Sequence, residues 1–260
     1  MSEPILCEVA DGVGTLTINR PERMNAMDSH AHLALSQALD ALAADEVVRV
    51  VVLTGAGERA FSAGRDLKEL AGGGEDADTV AARWRQITRL TDRFDYPKPL
   101  IARVQGLALG GGFELALACD IIVAASGASF AMPEPKRGLI PSAGGVHRLP
   151  RQMPLKIAMG CLLTGRGIDA GRAFDLGLVN EVVPADRLDA AVAEWAAEII
   201  ACAPLAIRAI RQAAAGGLGM PLHTAMAARY EAEDIRRSSR DAIEGPLAFA
   251  EKRPPRWTGQ

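Results

Sequence analysis

Aromatic residues are scarce in this chain, 4% of 260 positions, and several chemical signatures are missing altogether. The four cysteines, Cys7, Cys119, Cys161 and Cys202, stand far apart among apolar neighbours without a C-x-x-C pair, which argues against zinc or dithiol redox chemistry. They read as reduced core thiols. The histidines His30, His32, His147 and His223 show no metal-ligand spacing; His30 and His32 follow Ser29, a candidate helix N-cap, and read as partly exposed helix residues. No G-x-x-x-x-G-K-[ST] phosphate loop is present, and no uncharged apolar run reaches the roughly 20 residues of a membrane span. The opening Met-Ser-Glu-Pro-Ile-Leu lacks the basic and apolar regions of a signal peptide, so a cytoplasmic location is expected. A net charge of −3 and a pI near 5.9 give no footprint for a polyanion, which disfavours nucleic acid as the main partner but leaves room for a small anion at one site.

What is present is a globular composition, 49% hydrophobic and 23% charged, on a chain long enough for a large core. Ile5 to Val9, the Asp11-Gly12 turn and Val13 to Ile18 predict an opening hairpin. Leu33, Leu35, Leu39 and Leu42 suggest a helix, and the β-branched run Val47 to Leu53 suits a buried strand. Ala71-Gly-Gly-Gly-Glu-Asp-Ala-Asp78, small and acidic, reads as a mobile lid. Val80, Trp84, Ile87, Leu90 and Phe94 then keep helical spacing, with Arg83, Arg85, Arg89 and Arg93 on the remaining surface as a solvated face or, for one of them, a phosphate contact. Leu100 to Val104, Ile121 to Ala124 and Leu178 to Val183 predict further strands. Beyond them Leu188 to Ile200, Leu205 to Ala214 and Leu222 to Ile235 are helical in pattern, giving an α/β body and a helical tail.

The densest chemical signal is Val104-Gln-Gly-Leu-Ala-Leu-Gly-Gly-Gly-Phe-Glu114. Consecutive glycines let backbone N–H groups approach a ligand, a helix start adds partial positive charge, and Glu114 projects to the same side as Gly111. With Gly111 as cap, Glu114 takes the third helical position, where it either complements the dipole or, ahead of the uncharged Leu115 to Cys119, is desolvated toward the range of a general acid or base. A second carboxylate, Glu134, lies between Pro133 and Pro135, which favour an extended backbone there; it is either held out in a defined direction or an exposed loop residue. Gly55-Ala-Gly57-Glu-Arg-Ala60 matches a dinucleotide-type glycine pattern after a strand. The helix it should open is interrupted by Phe61 to Asp66, so it reads as a structural turn.

Taken in order, these segments resemble the enoyl-CoA hydratase/isomerase, or crotonase, superfamily. The resemblance runs from about Asn19 to Arg253 through Asn19-Arg-Pro-Glu-Arg-Met-Asn-Ala-Met27, Thr54-Gly-Ala-Gly57, Phe61-Ser-Ala-Gly-Arg-Asp-Leu-Lys68, Gly106 to Glu114, Cys119-Asp120, Pro133-Glu134, Gly138-Leu-Ile-Pro141, Ala143-Gly-Gly145, Leu163-Thr-Gly165 and Gly177-Leu-Val179. It implies an α/β fold, a spiral of ββα turns over residues 1–195 that carries the active site. A C-terminal helical region, 196–260, would serve trimerisation, with trimers often paired into hexamers. It further implies an oxyanion hole from the N–H groups of Arg65 and Gly111 around a thioester oxygen, with Glu114 and Glu134 as the catalytic pair. Members that only shift a double bond typically keep just the second carboxylate, so the pair favours hydration of a trans-2-enoyl-CoA. Ala63, Arg65, Asp66, Leu67 and Lys68, with Gly111, would line the path of coenzyme A, which enters as part of the substrate, and no separate cofactor is expected. Phe249 and Lys252 match positions that in some hydratases reach the CoA of a neighbouring subunit, or else pack at the trimer contact.

Arg65 departs from the small residue of many hydratases and bears on the acyl chain accepted. Gly112 to Ala118 and Asp241 to Arg253 are similar to carnitinyl-CoA dehydratases, which handle a trimethylammonium-bearing acyl-CoA, so that activity is the alternative. Against it, quaternary ammonium favours aromatic walls, and this chain has few aromatic side chains. A non-catalytic CoA- or RNA-binding member is a further alternative. Its expected marks, a lost glutamate or a dense basic helix, are not evident.

Overall fold

The computed structural model describes residues 3–260; Met1 and Ser2, part of the stretch weighed for a signal peptide, lie outside them. Ten strands, β1 (Ile5–Ala10), β2 (Val13–Ile18), β3 (Val50–Gly55), β4 (Ala60–Ser62), β5 (Leu100–Val104), β6 (Leu107–Leu109), β7 (Ile121–Ala125), β8 (Ser129–Ala131), β9 (Ile168–Asp169) and β10 (Glu181–Val183), fall into two sheets. The larger runs β1-β2-β3-β5-β7-β10 and the smaller β4-β6-β8-β9. Only the β1–β2 and β8–β9 pairs are antiparallel. Each of β3, β5 and β7 is followed by a short strand of the second sheet and then a helix, so the chain advances as repeated ββα turns.

The helices are α1 (Ser29–Ala44), α2 (Leu67–Leu70), α3 (Ala77–Trp84), α4 (Gly111–Leu117), α5 (Gly145–Gln152), α6 (Leu155–Thr164), α7 (Ala170–Asp175), α8 (Leu188–Ile200), α9 (Pro204–Gly217), α10 (Leu222–Ala227), α11 (Glu231–Arg237) and α12 (Arg240–Ala250). The apolar run Val50 to Leu53 of β3 has a simple cause. Val51 and Leu53 enter the main core with Leu16, Leu35, Phe61 and Phe113, while Val50 and Val52 enter a second cluster under Leu188 and Val192 of α8. A strand covered on both faces favours apolar residues throughout, and Thr54 near its end is buried with its hydroxyl donating to the Arg103 carbonyl at 3.1 Å. Helix α8 covers the second face with Leu188, Ala191, Val192 and Ala196. Among the described residues no single helix is long and apolar enough to cross a membrane.

Several local expectations change. The strand begins at Val50 instead of Val47, whose N–H is held by the Asp45 carboxylate in the preceding turn at 2.9 Å. Asp28, not Ser29, caps α1, accepting from Ala31 N–H at 2.9 Å. The helical pattern Val80 to Phe94 yields a helix only to Trp84. Beyond it, tertiary bonds replace helical ones: Thr88 N–H and the Arg93 guanidinium reach Ser36 on α1, and Arg148 of α5 reaches the Thr91 carbonyl. Leu222 to Ile235 divides into α10 and α11, with the Tyr230 hydroxyl turned back onto the Ala225 carbonyl at 3.1 Å. The Gly55-Ala-Gly57 turn leads into strand β4, not a helix, in keeping with a structural turn.

Candidate active site

The loop from β4 to α2 and the start of α4 meet backbone to backbone. Gly64, at φ +83°, has no room for a β-carbon, which would lie 2.7 Å from both Gly111 N and the Leu109 carbonyl. The peptide after it is fixed from one side: Met27 N–H donates to the Gly64 carbonyl at 2.7 Å, and Asp66 N–H donates to the Met27 carbonyl at 2.9 Å. Arg65 N–H therefore points the other way. Behind this loop the buried Ser62 hydroxyl donates to the Asn25 carbonyl at 2.8 Å and accepts from Gly64 N–H at 3.1 Å.

Opposite stands α4, capped by Gly110 at φ 52°, ψ −123°, a conformation that side chains resist. Here too space is decisive, because a β-carbon at Gly110 would meet Glu134 Oε1 at 2.6 Å. With Gly110 as cap, Gly111 is the first helical residue and Glu114 the fourth, one later than expected. Among the described residues neither Arg65 N–H nor Gly111 N–H has a protein acceptor, and both residues line one cavity of about 580 Å³. Two converging, unused donors are the geometry that stabilises an oxyanion.

Glu114 and Glu134 line the same cavity. Glu114 is 3% exposed, and its Oε1 accepts from Gly145 N–H, the first amide of α5, at 2.7 Å. That bond and the helix terminus favour the anion, yet burial outweighs them and, with the nearby Glu134 charge, lifts the Glu114 pKa to about 7. Glu134 is not extended. It opens a turn of 3-10 helix, Glu134–Arg137, stabilised by Leu139 N–H donating to its carbonyl at 3.0 Å. Its carboxyl is also raised by burial, and Oε2 is buried with no hydrogen-bond partner among the described residues. The site thus holds two carboxyl groups whose protonated forms burial favours, Glu114 with a pKa of about 7, beside two free amide donors.

Of the other expected site residues, Ala63, Arg65 and Leu67 line the cavity and Asp66 and Lys68 do not. Asp66 is buried and structural, accepting from Lys68 N–H at 3.0 Å as the cap of α2 and from Arg20 at 3.2 Å. Phe249, 87% exposed, and Lys252 lie at the end of α12, and the single chain does not bring them to the cavity. Sequence reasoning did not place His32, Trp84, Thr91 and Arg137 at the cavity, which they line together with Arg89, one of the arginines weighed for an anion contact. His32 is a partly exposed residue of α1, as expected, but its ring packs 5.0 Å from Trp84, and burial with the charges of Arg89 and Arg65 lowers its pKa to about 4. A clue existed in Trp84, one of three tryptophans, close after the glycine-rich lid segment.

Comparison with known proteins agrees with this geometry. Residues 8–260 match the model of the enoyl-CoA hydratase/isomerase family. The carnitinyl-CoA dehydratase of Salmonella arizonae is 42% identical over the whole of both chains. Among solved structures, the enoyl-CoA hydratase EchA1 of Mycobacterium marinum is 42% identical with a TM-score of 0.90, and one from Mycobacterium tuberculosis H37Rv is 40% identical with 0.87; both alignments cover all of each chain.

Proposed function

The chain belongs to the enoyl-CoA hydratase/isomerase family, and on that premise we propose that it adds water reversibly across the 2,3 double bond of a trans-2-enoyl-CoA. One observation carries the reading: two carboxyl groups with raised pKa values share a cavity with two unpaired amide donors. The thioester oxygen sits between Arg65 N–H and Gly111 N–H. Their pull draws electron density from the conjugated chain and makes Cβ electrophilic; losing one such donor costs about 10²- to 10³-fold in rate. Glu114, with one oxygen held by Gly145, takes a proton from water as the hydroxyl adds to Cβ. Glu134 in its protonated form delivers a proton to Cα, and the reverse sequence eliminates water. Each positioned transfer contributes roughly 10²- to 10⁴-fold.

Coenzyme A enters as part of the thioester, with Ala63, Arg65 and Leu67 along its path, and the reaction as written needs no other cofactor. Assembly as a trimer or a pair of trimers is supported by exposed apolar residues of the C-terminal helices, among them Met226, Ile243 and Phe249. In such an assembly Phe249 and Lys252 would reach a neighbour's CoA. A cytoplasmic setting would keep the four unpaired cysteines reduced.

Hydration of short and medium trans-2-enoyl-CoAs by the wild type, Glu114→Gln and Glu134→Gln tests the mechanism. Turnover that collapses in both variants supports it, and unchanged turnover in both would sink it. The second reading, a carnitinyl-CoA dehydratase, is favoured by the 42% identity to such enzymes. Trp84 is the only Phe, Tyr or Trp lining the cavity among the described residues, and a guanidinium already covers it, which is a poor seat for a quaternary ammonium. Crotonobetainyl-CoA turning over far faster than crotonyl-CoA would reverse this preference.

A further inference from the structure

One stretch of the cavity lining carries polarity that water addition does not use. Three arginines, Arg65, Arg89 and Arg137, line the cavity of a chain whose net charge is −3. Arg89 is neutralised by Asp92 at 2.7 Å, and Arg137 makes one long bond of 3.4 Å, to the Pro133 carbonyl. Arg65 has no carboxylate partner among the described residues; its guanidinium lies 5.1 Å from the centre of the Trp84 ring. Two of the lining residues also hold polar atoms, Trp84 Nε1 and Thr91 Oγ1, that are buried and without a hydrogen-bond partner among the described residues. Such groups cost about 1–3 kcal/mol each while unmet, so their presence in one cavity needs a cause.

Resting on the hydratase reading for where the thioester lies, we propose that this wall receives the far end of the acyl chain and that this end bears a carboxylate. Arg65 is the pairing residue and Trp84 the positioning one. A carboxylate is the group that fits, because it only accepts hydrogen bonds and matches the forked guanidinium with two oxygens. Drawn toward it, the Arg65 side chain leaves the indole face, and the same anion can accept from Trp84 N–H or the Thr91 hydroxyl. His32, neutral beneath Trp84, supports the ring without adding charge. Among the described residues the acidic groups that line the cavity are the catalytic glutamates. A CoA phosphate is the competing anion for Arg65, but it would leave the two buried atoms unmet.

Saturated thioesters separate this proposal from the reaction. Glutaryl-CoA and pentanoyl-CoA have chains of equal length and differ in the terminal carboxylate, and calorimetry on the full-length protein measures their binding. Glutaryl-CoA is expected to bind about tenfold more tightly, in line with one charge-assisted pair. Arg65→Met should bring the two constants together, and Trp84→Phe, which keeps the ring and removes the N–H, should shrink the gap. Equal binding of the two thioesters to the wild type overturns the proposal. So does an Arg65→Met variant that weakens both alike, which would assign the side chain to CoA phosphate. Turnover of glutaconyl-CoA and trans-2-pentenoyl-CoA completes the set: selective binding with hydration of neither refutes the hydratase reading and leaves the carboxylate site standing.

Discussion

Two sides of one cavity are built on opposite terms. The side with Glu114 and Glu134 is main chain against main chain, where Gly64 and Gly110 leave no space for a β-carbon and the Arg65 peptide is clamped to Met27. The side with Trp84 is side chain against side chain, carried by α3, eight residues long with none buried, and approached through an exposed glycine-rich segment. A shift of the first side breaks several backbone contacts at once, so the reacting groups have a single arrangement. On the second side one residue can change without disturbing the next. Chemistry is therefore expected to be set by the rigid side and acyl selectivity by the adjustable one.

The sharpest test of that division is the largest effect. Glu134→Gln removes the proton donor while keeping shape, and kcat/KM for crotonyl-CoA should fall about 10²- to 10⁴-fold with the melting temperature little changed. A fall below tenfold would show that the rigid side does not carry the chemistry.

Next in size is Gly64→Ala. Its methyl would press on Gly111 N and the Leu109 carbonyl at 2.7 Å, displacing an oxyanion donor. A rate loss of about 10²- to 10³-fold is expected, and with it a loss of roughly 1–3 kcal/mol measured by urea unfolding. The same substitution at an open site such as Gly127, where no atom lies within 4 Å of the added methyl, should leave turnover within about twofold.

The third concerns pH. The Glu114 pKa is raised from 4.5 to about 7, so the folded protein holds this proton more tightly than the unfolded chain. Its stabilising contribution is complete below 4.5 and is lost as pH rises to about 7. Glu114→Gln, which cannot ionise and can still accept from Gly145, should exceed the wild type in stability at pH 8 by up to about 3 kcal/mol, with the gap closing in acid. As the base, ionised Glu114 makes wild-type kcat/KM rise with an apparent pKa near 7. A profile flat across neutral pH would remove it from that role.

The smallest effect probes the adjustable side. Asp76 caps α3 by accepting from Thr79 N–H at 2.9 Å, and Asp76→Ala should cost about 1 kcal/mol locally. Hydrogen exchange should quicken over residues 77–84 and KM should rise, while global unfolding and the pH profile stay as they were. Equal quickening in α4 would show that the two sides are one cooperative unit.

Much of the fold was legible because its signals are local. The Asp11-Gly12 turn between alternating runs is a hairpin in any context, and the uninterrupted apolar run at β3 marks a strand covered twice. Legibility failed where distant partners took over backbone bonds. Val80 to Phe94 keeps a helical apolar period, yet the bonds of Thr88, Thr91 and Arg93 go to α1 and α5 and the helix stops at Trp84. Glu134 was drawn as extended because proline follows it, and a 3-10 turn seated beside Gly110 prevailed. Asp66 was read only for the CoA path, and its bonds to Lys68 N–H and Arg20, which make it the cap of α2, depend on a partner 46 residues away.

Read alone, the sequence determined which residues could do chemistry: the glycines that admit backbone donors, Glu114 ahead of an uncharged helix, and Glu134 held between prolines. These are properties of a residue and its nearest neighbours. Only the tertiary structure decided which of them meet. It turned Arg65 N–H away from Met27 and toward Gly111, gave the Glu114 carboxylate to Gly145, and set Trp84 under the Arg65 guanidinium. Spacing along a chain carries no record of such contacts, because packing of buried surfaces, not local conformation, brings segments tens of residues apart into van der Waals range.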